Sequence, residues 1–446
     1  MISSAADALF RSSGTGRDEP LRPAPSGAAI EGPSTAARRA ARTGLYVHVP
    51  FCAQRCTYCD FSTGSLSSHA VERYLAAMML EIAERAPHGQ GIEFTSVFFG
   101  GGTPSALSGR AFRTLWSALR ANFTIAPDAE ITLEANPESV RPALLKTWAQ
   151  AGVNRLSMGA QTFHADELGW LGRIHDADRP AVAFEMARAH GFRRLSLDLM
   201  FGFPGHTLER WRETLHRALA LKPEHFSAYC FIPERGTLLG DAVLENRAEL
   251  PSPEEQAAMY ADLTNVLGRA GYGGYETSNF AQPGAEAWHN LVYWLVRPYL
   301  AFGPAAHGFI DGERYGNHYA FSRWATALER GRSPEAERET QSTEARATEM
   351  MMLGLRLASG LVCEDYPAAA WSALLERYGT AFTAAVAGGR LEPTHCGWRI
   401  PAGLRFVADD VLAWIESRAV GTATFDSSSH GSLTWTPCPS LHSLAG

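Results

Sequence analysis

Three cysteines within eight residues, Cys52, Cys56 and Cys59, are the side chains of this sequence best suited to carry chemistry. The spacing C-x3-C-x2-C comes directly after the run GLYVHV, with Tyr46, His48 and Pro50 just ahead of it. Thiolate is the expected iron–sulfur ligand. Three thiolates on one tight turn suit three irons of a cubane and leave the fourth iron open, as a reactive rather than electron-carrying cluster requires. Two other readings fit the same residues. Structural zinc closes four ligands, commonly in two C-x2-C pairs, and His48 could be the fourth here. The other is three unrelated buried cysteines. Of the seven cysteines in all, Cys230, Cys363, Cys396 and Cys438 stand alone and read as small buried hydrophobes. Clustered thiols fit a reducing compartment and metal ligation better than disulfides.

Further polar and glycine positions fall where a ligand mouth would need them. Gly100, Gly101, Gly102, Thr103, Pro104 and Ser105 close the run TSVFFG. Glycines there let a ligand approach the backbone, and the next helix offers free N–H groups to an anion; a plain βα turn is the alternative. Glu134 in ITLEANP, Gln161 in SMGAQTF, Arg173 in LGRIH and Asp198 in LSLDLMFG then recur at or near strand ends. Buried without partners, such groups cost several kcal/mol each (about 2–7). Singly, each is as well explained by capping a neighbouring helix. As a set in matching register, they read as groups binding amine, carboxylate and hydroxyl functions. The motif HNLVYW sets His289 beside Tyr293 and Trp294, which suits either a haem contact or an aromatic core patch with a hydrogen-bonded histidine. His307 in GPAAHGF is open to the same two readings. Met350, Met351 and Met352 read as the apolar face of a helix, and Glu335, Glu337, Arg338 and Glu339 as solvated surface.

The elements that must position these groups alternate in type. Short runs rich in β-branched and aromatic residues (GLYVHV, TSVFFG, EITLEA, NRLSMGA, RLSLDLMFG, HFSAYCFI) are separated by helical patterns over 69–86, 109–122, 139–150, 177–190 and 208–220. Strand–helix–strand repetition predicts right-handed parallel crossovers. Six units fit an α/β fold built as a partial (β/α)6 barrel better than a full eight-fold one; a doubly wound open sheet has the same spacing. The expected organisation is a flexible arm over 1–43, the barrel over 44–284, a smaller, mainly helical domain with a hairpin over 285–420, and a flexible tail over 421–446. A net charge of −7 argues against phosphate-driven nucleic-acid binding. No long apolar window predicts a membrane span, the start of the chain lacks a signal-type apolar core, and Asp7, Asp18, Glu19 and Glu31 make it too acidic for a transit sequence, so the cytoplasm is the expected compartment.

Taken together, YVHVPFCAQRCTYCDF, FFGGGTPS, LEANPES, GVNRLSMGAQTF, LGRIH, DLMFGFPGHT, YETSNFA and HNLVYW resemble radical S-adenosylmethionine proteins of the oxygen-independent coproporphyrinogen III oxidase group, from about residue 44 to 415. The resemblance implies a [4Fe–4S] cluster on Cys52, Cys56 and Cys59, with S-adenosylmethionine on the open iron. It further implies that Tyr46, Tyr58, Gly102, Thr103, Glu134, Gln161, Arg173 and Asp198 line the S-adenosylmethionine site, with Tyr58 near the nucleoside and both carboxylates accepting hydrogen bonds. The true dehydrogenases of the group carry a further cysteine two residues after the third. Here that residue is Phe61, and with HNLVYW the chain is similar instead to the haem-chaperone branch. That implies haem as cargo, His289 as a haem contact, an acceptor protein, an electron donor, and membrane association only peripherally, through acceptors. Oxidative decarboxylation of coproporphyrinogen III is the alternative activity, and Phe61 argues against it.

Overall fold

The computed structural model describes residues 32–420 of the 446-residue chain. Six parallel strands form its centre: β1 (Gly44–Val49), β2 (Glu93–Gly101), β3 (Thr124–Ala135), β4 (Arg155–Gln161), β5 (Arg194–Phe201) and β6 (His225–Cys230), side by side in chain order. Each corresponds to one of the six runs anticipated from sequence, and helices Ser68–Arg85, Gly109–Asn122, Pro142–Ala151, Arg179–Ala189 and Leu208–Ala220 fall in the connections between them. The period of two along each strand explains the layering. Leu45 and Val47 of β1, Val97 and Phe99 of β2, Leu133 of β3, Leu156 and Met158 of β4, and Leu195 and Leu197 of β5 join one large apolar core with the helices. The alternate residues are polar yet buried, and register aligns them in rows across the sheet. Glu134, Ser157, Ser196 and His225 form one row; Gly159, Asp198 and Ser227 form the next.

The sheet does not stop at residue 285, where the second domain was expected to begin. Strand Tyr299–Phe302 lies parallel to β1, and strands 307–310, 313–317 and 335–340 extend that edge antiparallel. Beyond β6, strands 279–281 and 273–274 add two antiparallel members, giving twelve in all. A buried polar knot holds the extension to the barrel. Glu81 Oε1 lies 3.1 Å from Arg85 Nε; Glu81 also accepts from the Gly303 amide at 2.8 Å, Asn317 Nδ2 at 2.6 Å and Trp324 Nε1 at 3.1 Å. Arg85 reaches Asn317 Oδ1 at 2.8 Å and Glu335 at 2.9 Å, so Glu335 is not merely solvated surface.

The helices Thr343–Gly354, Ala368–Ala387 and Ala408–Glu416 pack with segment 291–296 in a second core that buries Met350 and Met351, and a hairpin of 392–393 with 397–399 lies beside them. Part of the expected arm is structured as well: Thr35–Ala40 is helical, capped by Ser34, and buries Ala37 and Ala41. The backbone amide of Ser34 donates to Glu286 Oε1 at 2.9 Å, which ties this helix to the segment beneath the barrel. The expected tail and residues 1–31 lie outside the described residues. Among the described residues no helix is long and apolar enough to cross a membrane.

Replacing Arg85 with methionine leaves the Glu81 carboxylate buried without its cation. The variant Arg85→Met is expected to lose about 3 kcal/mol of unfolding free energy, read as a lower urea midpoint. An unchanged midpoint would mean the knot does not hold the two parts of the sheet together.

Candidate functional site

Cys52, Cys56 and Cys59 lie on the loop that follows β1, at the C-terminal end of the sheet, and border one pocket together with Gly102, Thr103, Glu134, Arg173 and Asp198. The loop is clamped by backbone contacts rather than packed apolar bulk. Thr57 N–H donates to the Leu171 carbonyl at 3.2 Å, the Leu239 amide donates to the Thr57 carbonyl at 2.8 Å, and Gln54 Nε2 donates to the Gly172 carbonyl at 3.1 Å. Gly172, in the LGRIH motif, has φ +69°, and a Cβ there would sit 3.1 Å from the Thr57 nitrogen, so only glycine lets the two loops touch. Two donors already point at sulfur: Thr103 Oγ1 lies 3.3 Å from Cys52 Sγ, and Arg173 Nη1 lies 3.5 Å from Cys56 Sγ. Burial raises the thiol pKa of Cys52 and pushes that of Cys59 up to about 12.

The sulfurs lie farther apart than the ligands of a single ion. Around one tetrahedral zinc they would lie ~3.8 Å apart, whereas Cys52, Cys56 and Cys59 do not all come within 4.8 Å of one another. His48 is not a spare ligand either. Its Nδ1 lies 3.1 Å from the Tyr46 hydroxyl, its Nε2 is 3.1 Å from the Ser62 carbonyl, and burial lowers its pKa to about 4.

Next to the thiols the pocket is anionic. Glu134 is raised well above the usual carboxylate range by burial and then by the nearby Asp198; the Gly101 amide, 3.1 Å away, is its one opposing hydrogen bond. Burial lifts Asp198 to about 6 against three serine hydroxyls, the nearest being Ser157 at 2.9 Å. Arg173 is engaged elsewhere, donating to Asn136 Oδ1 at 2.8 Å and the Gly159 carbonyl at 2.6 Å. Gln161 ends β4 at φ +64°, on a register shift, with its buried Nε2 lacking any hydrogen-bond partner. Two carboxyl groups buried close to one another are the pattern of a site built for a ligand. The donor set fits the groups implied by the sequence: three thiols for iron, and paired carboxylates for a cationic amino-acid nucleoside. Gly102 lines the pocket as well, and packing requires glycine there, because a Cβ would lie 2.9 Å from backbone atoms of Val49 and Phe51.

Two residues anticipated at this site stand apart from the pocket, and a third does not meet its expected role. Tyr46 belongs to the second core, beside the stacked pair Phe98 and His289 at ring separations of 6.2 and 6.5 Å. Gln161 does not itself line the pocket; a Cβ at Gly159 would meet its Nε2 at 3.0 Å, next to Arg173 and Asn136, which do. His289, expected to contact haem, is 0% exposed, with Nδ1 2.9 Å from Ser96 Oγ and Nε2 2.8 Å from the Tyr293 hydroxyl. Neither nitrogen is free for iron, and burial takes its pKa down to about 3. It is the hydrogen-bonded core histidine of the two readings.

A larger cavity of about 560 Å³ opens on the other side of the cysteine loop, and Tyr58, Cys59 and Phe61 border both spaces. Its walls are mainly apolar, with Tyr229, Phe231, Trp294 and Phe406 among them, and Arg356, Arg405 and Cys230 also line it. Sequence reasoning missed these residues except Trp294, and read Cys230 as a plain hydrophobe. The YETSNFA motif was the available signal. Glu276 Oε1, Thr277 Oγ1 and Asn279 Oδ1, with Trp294 Nε1, are buried atoms lacking partners on residues that line this cavity.

Residues 46–218 match the model of the radical SAM superfamily. The chain is 37% identical to heme chaperone HemW of Bacillus subtilis over 71% of this chain and 84% of the relative. It is also 37% identical to heme chaperone HemW of Escherichia coli, over 67% and 79%. The structure of the Escherichia coli coproporphyrinogen III oxidase HemN, a radical SAM enzyme, superposes with a TM-score of 0.73 at 22% identity, covering 88% of this chain and 95% of that one; it shares the fold.

The variant Cys56→Ser, purified and reconstituted without oxygen, is expected to lose its iron, its sulfide and the brown charge-transfer absorption; unchanged iron content would remove the ligand assignment. A second expectation concerns Asp198. Its folded pKa of about 6 lies above the ordinary 3.8, so its ionisation opposes folding increasingly as pH climbs through that interval. At pH 7.5 Asp198→Asn should therefore stabilise the ligand-free protein by on the order of 1 kcal/mol while weakening S-adenosylmethionine binding in a titration. A destabilised variant with undiminished affinity would contradict both halves.

Proposed function

This chain belongs to the HemW family of radical S-adenosylmethionine proteins, and on that premise we propose that it binds haem in the large cavity and hands it to acceptor proteins, beside a [4Fe–4S] cluster and S-adenosylmethionine. The observation that carries this reading is Phe61. Its ring stands where a dehydrogenase-type motif would place another thiol, and it walls a cavity large enough for a flat macrocycle.

Cys52, Cys56 and Cys59 hold the cluster, which when bound supplies low-potential electrons and one open iron. Thr103 and Arg173 fix the sulfurs of Cys52 and Cys56. Glu134 and Asp198 neutralise the cationic groups of S-adenosylmethionine and accept from its hydroxyls. Gly102 lines the pocket and lets the chain after β1 pack against it, Gln161 and Tyr46 set the strands behind it, and Tyr58 separates the nucleoside from the haem cavity. There the aromatic walls cover the ring, and Arg405 and Arg356 face the propionates. Arg405 is a buried cation donating to the Ala358 carbonyl at 3.1 Å, and Arg356 pairs with Asp409. Trp170, Ile232 and Leu238 are 60, 59 and 77% exposed near this loop, an apolar rim suited to the passage of an apolar cargo to an acceptor. Reduction of the cluster calls for an electron donor, and the expected setting is cytoplasmic, with membranes met only through acceptors.

Haem titration followed at the Soret band tests the reading. Losing one desolvated propionate partner costs about 1.5–3 kcal/mol, so Arg405→Ala should weaken haem binding about tenfold or more. His289→Ala, folded but less stable, should retain the Soret band. Anaerobic conversion of coproporphyrinogen III to protoporphyrinogen IX, without stable haem binding, would establish the decarboxylase reading instead.

A further inference from the structure

The C-terminal part of the molecule brings together a second set of ligand-type side chains, remote in sequence from the cysteine loop. Strand Leu361–Val362 runs antiparallel to strand Gly397–Arg399, with Val362 opposite Gly397. One step further along, the Cys363 amide donates to the Cys396 carbonyl at 3.1 Å, so the ladder sets these two thiols side by side. Their chain neighbours complete the group: Glu364 follows Cys363, and His395 precedes Cys396. One ligand atom from each of Cys363, Glu364 and Cys396 lies within 4.8 Å of the other two, and no other trio of histidine, cysteine or carboxylate residues among the described residues does so. The Cys396 thiol donates to Glu364 Oε2 at 3.2 Å, and His395 Nε2 lies 2.9 Å from that same oxygen.

We propose that Cys363, Glu364, His395 and Cys396 form a binding site for one zinc-type divalent cation. Two thiolates, an imidazole and a carboxylate are a mixed N/S/O set for a borderline-soft, four-coordinate ion, where hard cations would want oxygen alone. The strands fix the sulfurs, while the side chains of Glu364 and His395, 63 and 67% exposed, are free to swing onto the metal. A cross-strand disulfide would use the two sulfurs alone and give no part to the carboxylate on the Cys396 sulfur or to the imidazole on that carboxylate. The bound ion would staple strand 361–362 to the 392–399 hairpin. It would also steady the next residue, Asp365, whose carboxylate holds the buried Arg38 of the helix 35–40. Ligand deprotonation makes such binding release protons and couples it to folding.

The test uses the full chain without oxygen, alongside a Cys52→Ser, Cys56→Ser, Cys59→Ser variant in which no barrel thiol competes for metal. Both proteins, given Zn²⁺ and dialysed against a weak chelator, should keep one zinc per chain by elemental analysis. Co²⁺ in its place should give thiolate-to-metal charge-transfer absorption. Adding Cys363→Ser and Cys396→Ser should abolish both signals, and Glu364→Gln should weaken zinc binding at least tenfold. Cys396→His, which keeps a ligand and the strand, should still bind zinc with a shifted Co²⁺ spectrum; this serves as the readout if the doubly substituted chain fails to fold. Zinc content independent of Cys363 and Cys396 would overturn the site, as would a chain that takes up no zinc and carries a Cys363–Cys396 disulfide by peptide mass mapping.

Discussion

Polar groups sealed inside the barrel are the constraint on which the remaining architecture depends. Glu130, Glu134, Arg155, Ser196, Asp198, His225 and Ser227 of β3 to β6 are polar and buried, so each must find a partner in the interior. The segment 285–290 supplies many of them. Arg155 pairs with Glu130 at 3.0 Å and donates to the carbonyls of Ala285 and Glu286, while Glu130 accepts the His289 amide at 3.1 Å. A buried ion pair of this kind is weak as a source of stability but strict about geometry. The floor of the barrel is therefore specified by the same segment that carries HNLVYW. From it a line of hydrogen bonds crosses the interior: Asn290 to the Tyr275 hydroxyl, Tyr275 to His225, His225 to Ser196, and Ser196 on to Asp198 at the ligand pocket.

That floor accounts for the character of the mouth. Below, Arg155 is paired with Glu130; above, Glu134 and Asp198 lie close together with hydroxyls and one amide for company. Burial thus biases both carboxyl groups toward their neutral forms, a bias that a bound cation would reverse. The cysteine loop does not depend on that balance. Backbone hydrogen bonds to segments 170–172 and 239 hold it from two sides, independent of what the sulfurs carry.

The six central strands and the three thiols were legible because each is written locally. Alternation of apolar and polar residues marks a strand with two different faces, and C-x3-C-x2-C needs no tertiary information. The features that escaped are those created by pairing across long separations. Tyr299–Phe302 joins the sheet only because β1 offers it an open edge, and the Glu81–Arg85 knot that welds it there links residues more than two hundred positions apart. His289 looked like a haem contact because its aromatic neighbours are visible in sequence, whereas Ser96, which occupies its Nδ1, is not. The pairing of Cys363 with Cys396 and the places of Cys230 and Arg405 on a cavity wall were hidden in the same way.

The wall formed by Tyr58, Cys59 and Phe61 has one further implication. A partition one residue thick cannot be shifted by an occupant on one face without being shifted for an occupant on the other. Any change that loading the cluster side makes in affinity on the macrocycle side must be returned in equal measure when the order is reversed. Cargo and nucleoside would then report on each other through a phenyl ring and a phenol, with no moving domain between them.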